Sequence, residues 1–155
     1  MEGNAMATDG RKIVVAMDGS EYANFAFKWY MKHIYRHGDH VVLIYCPEYH
    51  AVHARFVEVD ITLVAEQIEE EQKKTREFLE HLAEKLKEYG IGGKVKSESG
   101  NPGEVIVRVA EEEDADLIVT GSRGLGIVRR TFLGSVSDYV LHHSHVPVII
   151  TRHSS

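Results

Sequence analysis

The stretch KIVVAMDGS, Lys12 to Ser20, decides the fold class. Lys12 to Met17 is an apolar, β-branched run cut short by Asp18-Gly19-Ser20, which predicts a buried strand running into a turn. Ser20 is placed to cap a helix, because its hydroxyl can accept from a free amide of the next turn. Ala23, Ala26, Phe27, Tyr30 and Ile34 then recur at helical spacing, so an amphipathic helix is expected to end near Gly38. A strand without polar alternation, followed by a helix, is the unit of a parallel sheet covered on both faces.

The same alternation continues outward. Val41 to Cys46 is a second strand, stopped by Pro47, while Glu48 to Thr62 carries no legible pattern. Val64, Ile68, Thr75, Phe78, Leu82, Leu86 and Tyr89 mark one stripe of a long helix. Its Glu69–Lys73 and Glu70–Lys74 pairs read as a solvated face rather than a binding tail. Gly90 to Gly93 ends that helix, and Lys94 to Ser99 is a short polar strand suited to a sheet edge. Asn101-Pro102-Gly103-Glu104 starts the next helix, with Asn101 as cap and Pro102 in its first position. Val105, Ile106, Val109 and Ala110 are its buried side. Asp116 to Thr120 and Val146 to Arg152 are further strands, with a helix from Val136 to His142 between them. The expectation is one α/β domain over residues 11–153, after a flexible leader at 1–10.

Composition narrows the function. The chain has 155 residues, with 18 Lys and Arg against 24 Asp and Glu, for a net charge of −6. That excess argues against a broad nucleic-acid face or a polybasic membrane anchor, both of which need clustered positive charge. No apolar run approaches the roughly 18 residues of a membrane span. Met1 to Gly10 has no hydrophobic stretch of a secretory signal. A single cysteine, Cys46, forms no internal disulfide, so a reducing, cytoplasmic setting is expected.

In an open parallel sheet, ligands bind beyond the carboxyl ends of the strands, where the strand order reverses. Two strand exits stand out: Asp18-Gly19-Ser20, and Gly121-Ser122-Arg123-Gly124-Leu125-Gly126 with Gly134-Ser135 further on. The spacing is Gly121, two residues, Gly124, nine residues, Gly134-Ser135. Such glycines let a ligand approach backbone amides, and the helix opening at Ser135-Val136-Ser137 points its dipole at whatever the loop encloses. An anion such as phosphate fits; a tight loop that merely caps a helix fits as well. No Lys-Ser or Lys-Thr follows the glycines, so this is not a P-loop, and the first turn, Asp18-Gly19-Ser20-Glu21, is not the dinucleotide fingerprint. A phosphoacceptor receiver is also disfavoured, since Asp18 is the one acidic residue of its set present.

This ordered set resembles the ATP-binding universal stress proteins. The likeness comprises the Gly121-x2-Gly124-x9-Gly134-Ser135 signature, the Val-Ala-Met-Asp-Gly-Ser segment, the VVLIY strand, Asn-Pro-Gly-Glu, DLIVTGSRG and Val-Pro-Val-Ile-Ile. It spans Lys12 to Arg152. It implies a Rossmann-like, five-stranded parallel sheet in the order 3-2-1-4-5. It further implies an ATP, ADP or AMP site. Ala16, Met17 and Asp18 would lie against the adenosine, and Cys46 would line the adenine pocket. Thr120, Gly121, Arg123, Gly124, Gly134, Ser135, Val136 and Ser137 would follow the ribose and phosphates, with hydroxyl donors at Ser135 and Ser137. Magnesium would accompany the nucleotide, and a homodimer would form through the last strand, 146–152. The implied function is a nucleotide-dependent regulatory or stress-response protein acting on an unidentified protein partner. A slow magnesium-dependent ATPase or phosphohydrolase is the alternative. Efficient catalysis is not expected, because Asp18 is the one well-placed carboxylate and no second base is legible.

Other candidates are weaker. Ten histidines include His33 and His37 at i,i+4 and a cluster at His142, His143 and His145; surface imidazoles are expected there rather than a metal. Arg129 and Arg130 either reach phosphate or keep a loop soluble. Cys46 is expected to be a small buried apolar group rather than a redox centre.

Overall fold

A computed structural model of the chain describes residues 10–47, 60–123 and 133–153. Its strands are β1 (Lys12–Ala16), β2 (His40–Tyr45), β3 (Gly92–Ser97), β4 (Leu117–Gly121) and β5 (Val148–Thr151). Its helices are α1 (Glu21–His33), α2 (Ile61–Tyr89), α3 (Pro102–Glu112) and α4 (Ser135–His143). All strand pairs are parallel, in the order β3-β2-β1-β4-β5, as the resemblance implied.

Side-chain alternation along the strands divides the core. Ile13, Val15, Met17, Val41, Leu43 and Val119 pack under α1 and α2 with Phe27, Tyr30, Leu82 and Leu86. Val14, Val42, Ile44 and Ile118 pack under α3 and α4 with Val105, Ile106, Val109 and Val140. Both faces of the central strands are thus covered, which is why their sequences lack polar alternation.

Element ends differ from the sequence pattern by a few residues, each for a visible reason. Helix α2 begins at Ile61, three residues before the apolar stripe, because the Asp60 carboxylate accepts from the amides of Thr62 and Leu63. Strand β3 starts in the glycines, since Gly92 and Gly93 pair with His40 and Val41. A β-carbon on Gly93 would lie 2.1 Å from the Val41 carbonyl oxygen, so only glycine fits there. Strand β5 is shorter than 146–152. Ser144 and Val146 close a turn through the Ser144 hydroxyl, which accepts from the Val146 amide at 3.0 Å and donates to its carbonyl at 2.8 Å. Residues 48–59, most of the segment without a legible pattern, lie outside the described residues.

Two ionic clusters tie the amino-terminal edge of the sheet. The buried Asp39 carboxylate accepts from Arg11 Nε at 2.9 Å and Nη2 at 2.8 Å, from the Tyr30 hydroxyl, and from the Arg36 amide at 3.1 Å. Burial alone would raise its pKa, but the hydrogen bonds from Arg11, Tyr30 and Arg36 together outweigh it and hold the carboxyl below its ordinary value. Burial, followed by the Asp39 hydrogen bond, pushes the Tyr30 hydroxyl well above its usual range. On the other face, Glu113 at the end of α3 meets Lys94 at 2.9 Å, Lys96 at 3.3 Å and Lys12 at 3.5 Å.

Candidate functional site

The order β3-β2-β1-β4-β5 puts the reversal between β1 and β4, which run side by side from Ile13–Leu117 to Val15–Val119. One residue further on, the same register sets Ala16 beside Thr120 at the carboxyl edge. The turn after β1 is built from its own residues. The amide of Ser20 donates to Asp18 Oδ1 at 2.9 Å, Gly19 takes a φ of +85°, and the Ser20 hydroxyl accepts from the Ala23 amide at 3.1 Å. That positive φ strains any residue with a β-carbon, which explains Gly19.

The residues singled out in the sequence separate by face. Ala16, Cys46 and Val136 lie partly buried on the α3–α4 side. Alternation puts Thr120 on that side too, since its neighbour Val119 faces α1 and α2. Cys46 Sγ lies 3.2 Å from the Gly100 carbonyl oxygen, joining the exit of β2 to the turn before α3. Met17 and Gly121 belong to the opposite side. The Met17 side chain is in the core against α1 and α2, and its amide donates to the Ile44 carbonyl, so its main chain is what it offers at the edge. Gly121 packs against the first turn of α1, where a β-carbon would meet the Tyr22 carbonyl. Its missing side chain therefore admits the start of this helix.

The exit of β4 is pinned to the start of α4. The Ser122 carbonyl accepts from the Gly134 amide at 2.7 Å and from the Ser137 hydroxyl at 3.0 Å. The Ser137 hydroxyl also lies 3.1 Å from the Gly134 carbonyl. The buried Ser137 hydroxyl thus finds its acceptors within the fold. Ser135, by contrast, is exposed at the first position of α4, and Arg123 is half-buried at the loop entrance. Gly124, Gly126, Arg129 and Arg130 lie outside the described residues. Ser122 was not singled out from the sequence, although its place inside the Gly121–Gly124 segment was a signal.

The helix starts differ in a way that bears on chemistry. Ser20, Asp60 and Asn101 each cap a helix with a side-chain oxygen, whereas Gly134 caps α4 with none. The first amides of α4 therefore have no capping side chain, and an uncapped helix start of this kind favours an anion.

A sequence profile of the universal stress protein family matches residues 10–152 of this chain. The chain belongs to that family. Universal stress protein Sll1388 of Synechocystis is 31% identical over 150 residues, covering 92% of this chain and 97% of its own. Among solved structures, the protein MJ0577 of Methanocaldococcus jannaschii superposes with a TM-score of 0.79 at 25% identity, covering 94% of this chain and 97% of its own. A universal stress protein family member from Arabidopsis thaliana with AMP bound has a TM-score of 0.68. It is 22% identical and covers 94% of this chain and 93% of its own, a likeness of fold.

In this universal stress protein no three His, Cys, Asp or Glu side chains are grouped to hold a metal ion, among the described residues. His33 lies with its ring centroid 4.9 Å from that of Trp29, and His142 and His145 lie 3.4 and 3.6 Å from Asp138 and Glu111. None of the described helices is long and apolar enough to cross a membrane.

Proposed function

We propose that this universal stress protein binds an adenine nucleotide, foremost ATP, across the carboxyl edge between β1 and β4. One observation carries the reading. The start of α4 has no side-chain cap, and it is clamped beside the exit of β4 by Ser122. An anion is thereby favoured beside a half-buried Arg123, in a protein whose overall charge is −6. On this reading Ala16, Thr120, Cys46 and the main chain of Met17 and Asp18 take the adenosine. Gly124, Gly134 and the amides of Ser135, Val136 and Ser137 take the phosphates. The bound AMP of the Arabidopsis protein supports the ligand class. Magnesium enters with the nucleotide phosphates, and Asp18 is the carboxylate that the turn after β1 offers it.

The nucleotide acts as a signal, altering the surface presented to a regulatory partner in the cytoplasm. The protein works as a homodimer through residues 146–152, where Val148, Ile149 and Ile150 are half-buried on the open edge of the sheet.

Titration calorimetry with ATP, ADP and AMP, and mass spectrometry of molecules released on denaturation, test the ligand. Saturable binding that Gly124→Val abolishes is the expected result. No binding to the wild-type chain, or equal binding to the variant, overturns the proposal. Phosphate release under single turnover, lost in Asp18→Ala, would replace signalling with slow hydrolysis.

A further inference from the structure

Helix α1 carries a second surface, remote from the carboxyl edge. From Tyr22 to Gly38 the chain has no carboxylate, yet it holds Lys28, Lys32, His33, Arg36 and His37, all exposed. At 100° per residue, Phe25, Lys28, Trp29, Lys32 and His33 share one arc of about 140° on the helix. The opposite side holds Ala23, Ala26, Phe27 and Tyr30 in the core. The half-buried Trp29 packs against His33 within this strip, with ring centroids 4.9 Å apart and the ring planes tilted by 38°.

Among the described residues, no carboxylate lies within ion-pair distance of Lys28, Lys32 or Arg36; the ion pairs involve Arg11, Lys12, Lys94, Lys96, Arg108, His142 and His145. Lys85 of α2 sits between this face and the core, its ammonium 5.5 Å from the buried Phe27 ring centroid and within reach of both Lys28 and Glu88. A basic group at a helix carboxyl end is favoured by the dipole, but that effect fades within the last turn. Lys28 lies beyond its reach, so helix capping does not account for the strip.

We propose that this face of α1 is a docking surface for an acidic segment of another protein. The flanks choose this partner. The solvent side of α2 exposes Glu77, Glu80, Glu84 and Glu88. A flat anionic bilayer would meet those carboxylates together with the lysines, and duplex DNA would meet them along its backbone. A narrow acidic peptide lies on the strip alone, its carboxylates on Lys28, Lys32 and Arg36 and an apolar side chain on Trp29. The surface lies on the α1–α2 side, away from Ala16, Cys46 and Val136, so the inference stands independently of nucleotide binding.

Trp29 is the one tryptophan of the chain and reports on its own surroundings. The test titrates the full chain with a short synthetic Glu-Leu peptide, following tryptophan emission and calorimetry, with phosphatidylserine vesicles and duplex DNA as competing probes. The expected result is saturable binding to the peptide, weakened about tenfold or more in Lys28→Glu/Lys32→Glu and falling with salt. Lys73→Glu/Lys74→Glu on α2 should bind like the wild type. Both pairs are exposed, and circular dichroism confirms that the variants are folded. No saturable peptide binding, equal binding by the Lys28/Lys32 variant, or tighter binding to vesicles or DNA would overturn the proposal.

Discussion

The carbonyl oxygen of Tyr22 lies 2.7 Å from where a β-carbon on Gly121 would stand. Helix α1 can approach the end of β4 because that residue has no side chain. Gly121→Ala therefore forces the first turn of α1 outward, at about 1–3 kcal/mol. Urea denaturation should show that loss. ATP affinity should fall with it, because the displaced turn carries Ser20, whose amide orients Asp18. Gly92→Ala is the control: its β-carbon meets nothing within 4 Å, so a change within about 0.5 kcal/mol is expected.

The trio Arg11, Tyr30 and Asp39 joins the start of β1, the end of α1 and the start of β2. Asp39→Ala removes a carboxylate that is 1% exposed and leaves the Tyr30 hydroxyl buried beside an uncompensated guanidinium. A loss of about 3 kcal/mol is expected. A double-mutant cycle with Arg11→Ala should give a combined loss smaller than the sum. Nucleotide affinity should be unchanged, because this cluster sits at the opposite edge of the sheet.

Stability should also fall in acid, with a sign fixed by two carboxyls. Lys94 hydrogen bonding, opposed by burial and helped by Lys96, brings Glu113 down to about 2 from an ordinary 4.5, and Asp39 is lowered too. A depressed native pKa means that the unfolded chain takes up the proton first as pH falls. The stabilisation is thus complete above the ordinary value of 4.5 and is lost on descent towards about 2. Urea midpoints measured across that window should drop steadily. Glu113→Gln should start lower at neutral pH and converge with the wild type near the bottom of the window.

How far the sequence reveals this can be judged residue by residue. The apolar runs at Lys12–Met17 and Val41–Cys46 and the capped helix starts at Ser20 and Asn101 specify their elements locally, because burial on both faces and amide capping leave direct marks. Strand order and the place of the reversal came from the resemblance, since pairing is a long-range property. The Asp60 cap is not read from the sequence, because it lies in a segment with no periodicity to anchor it. The approach of α1 to Gly121 is not legible, because spacing alone does not say which element packs against a missing side chain. Likewise the sequence does not show that the Ser137 hydroxyl has Ser122 and Gly134 as acceptors. Those partners meet it only once β4 and α4 are assembled.

Gly103 and Tyr139 couple the two helices behind the candidate site. A β-carbon on Gly103 would fall 2.8 Å from Cδ1 and 2.9 Å from Cβ and Cγ of Tyr139, whose ring stacks on His143 with centroids 3.9 Å apart. The near end of the ring cannot swing away, so Gly103→Ala must spread α3 from α4, at about 1–3 kcal/mol. Tyr139→Ala removes Cγ and Cδ1 but keeps Cβ, so it relieves only part of the clash. The double variant should therefore be more stable than additivity predicts, by about 0.5–1 kcal/mol in urea denaturation. Because Ser135, Val136 and Ser137 form the first turn of α4, ATP binding should weaken in Gly103→Ala and recover partly in the double variant. Additive stabilities with unchanged ATP affinity would show that the spacing of α3 and α4 does not set the position of those amides.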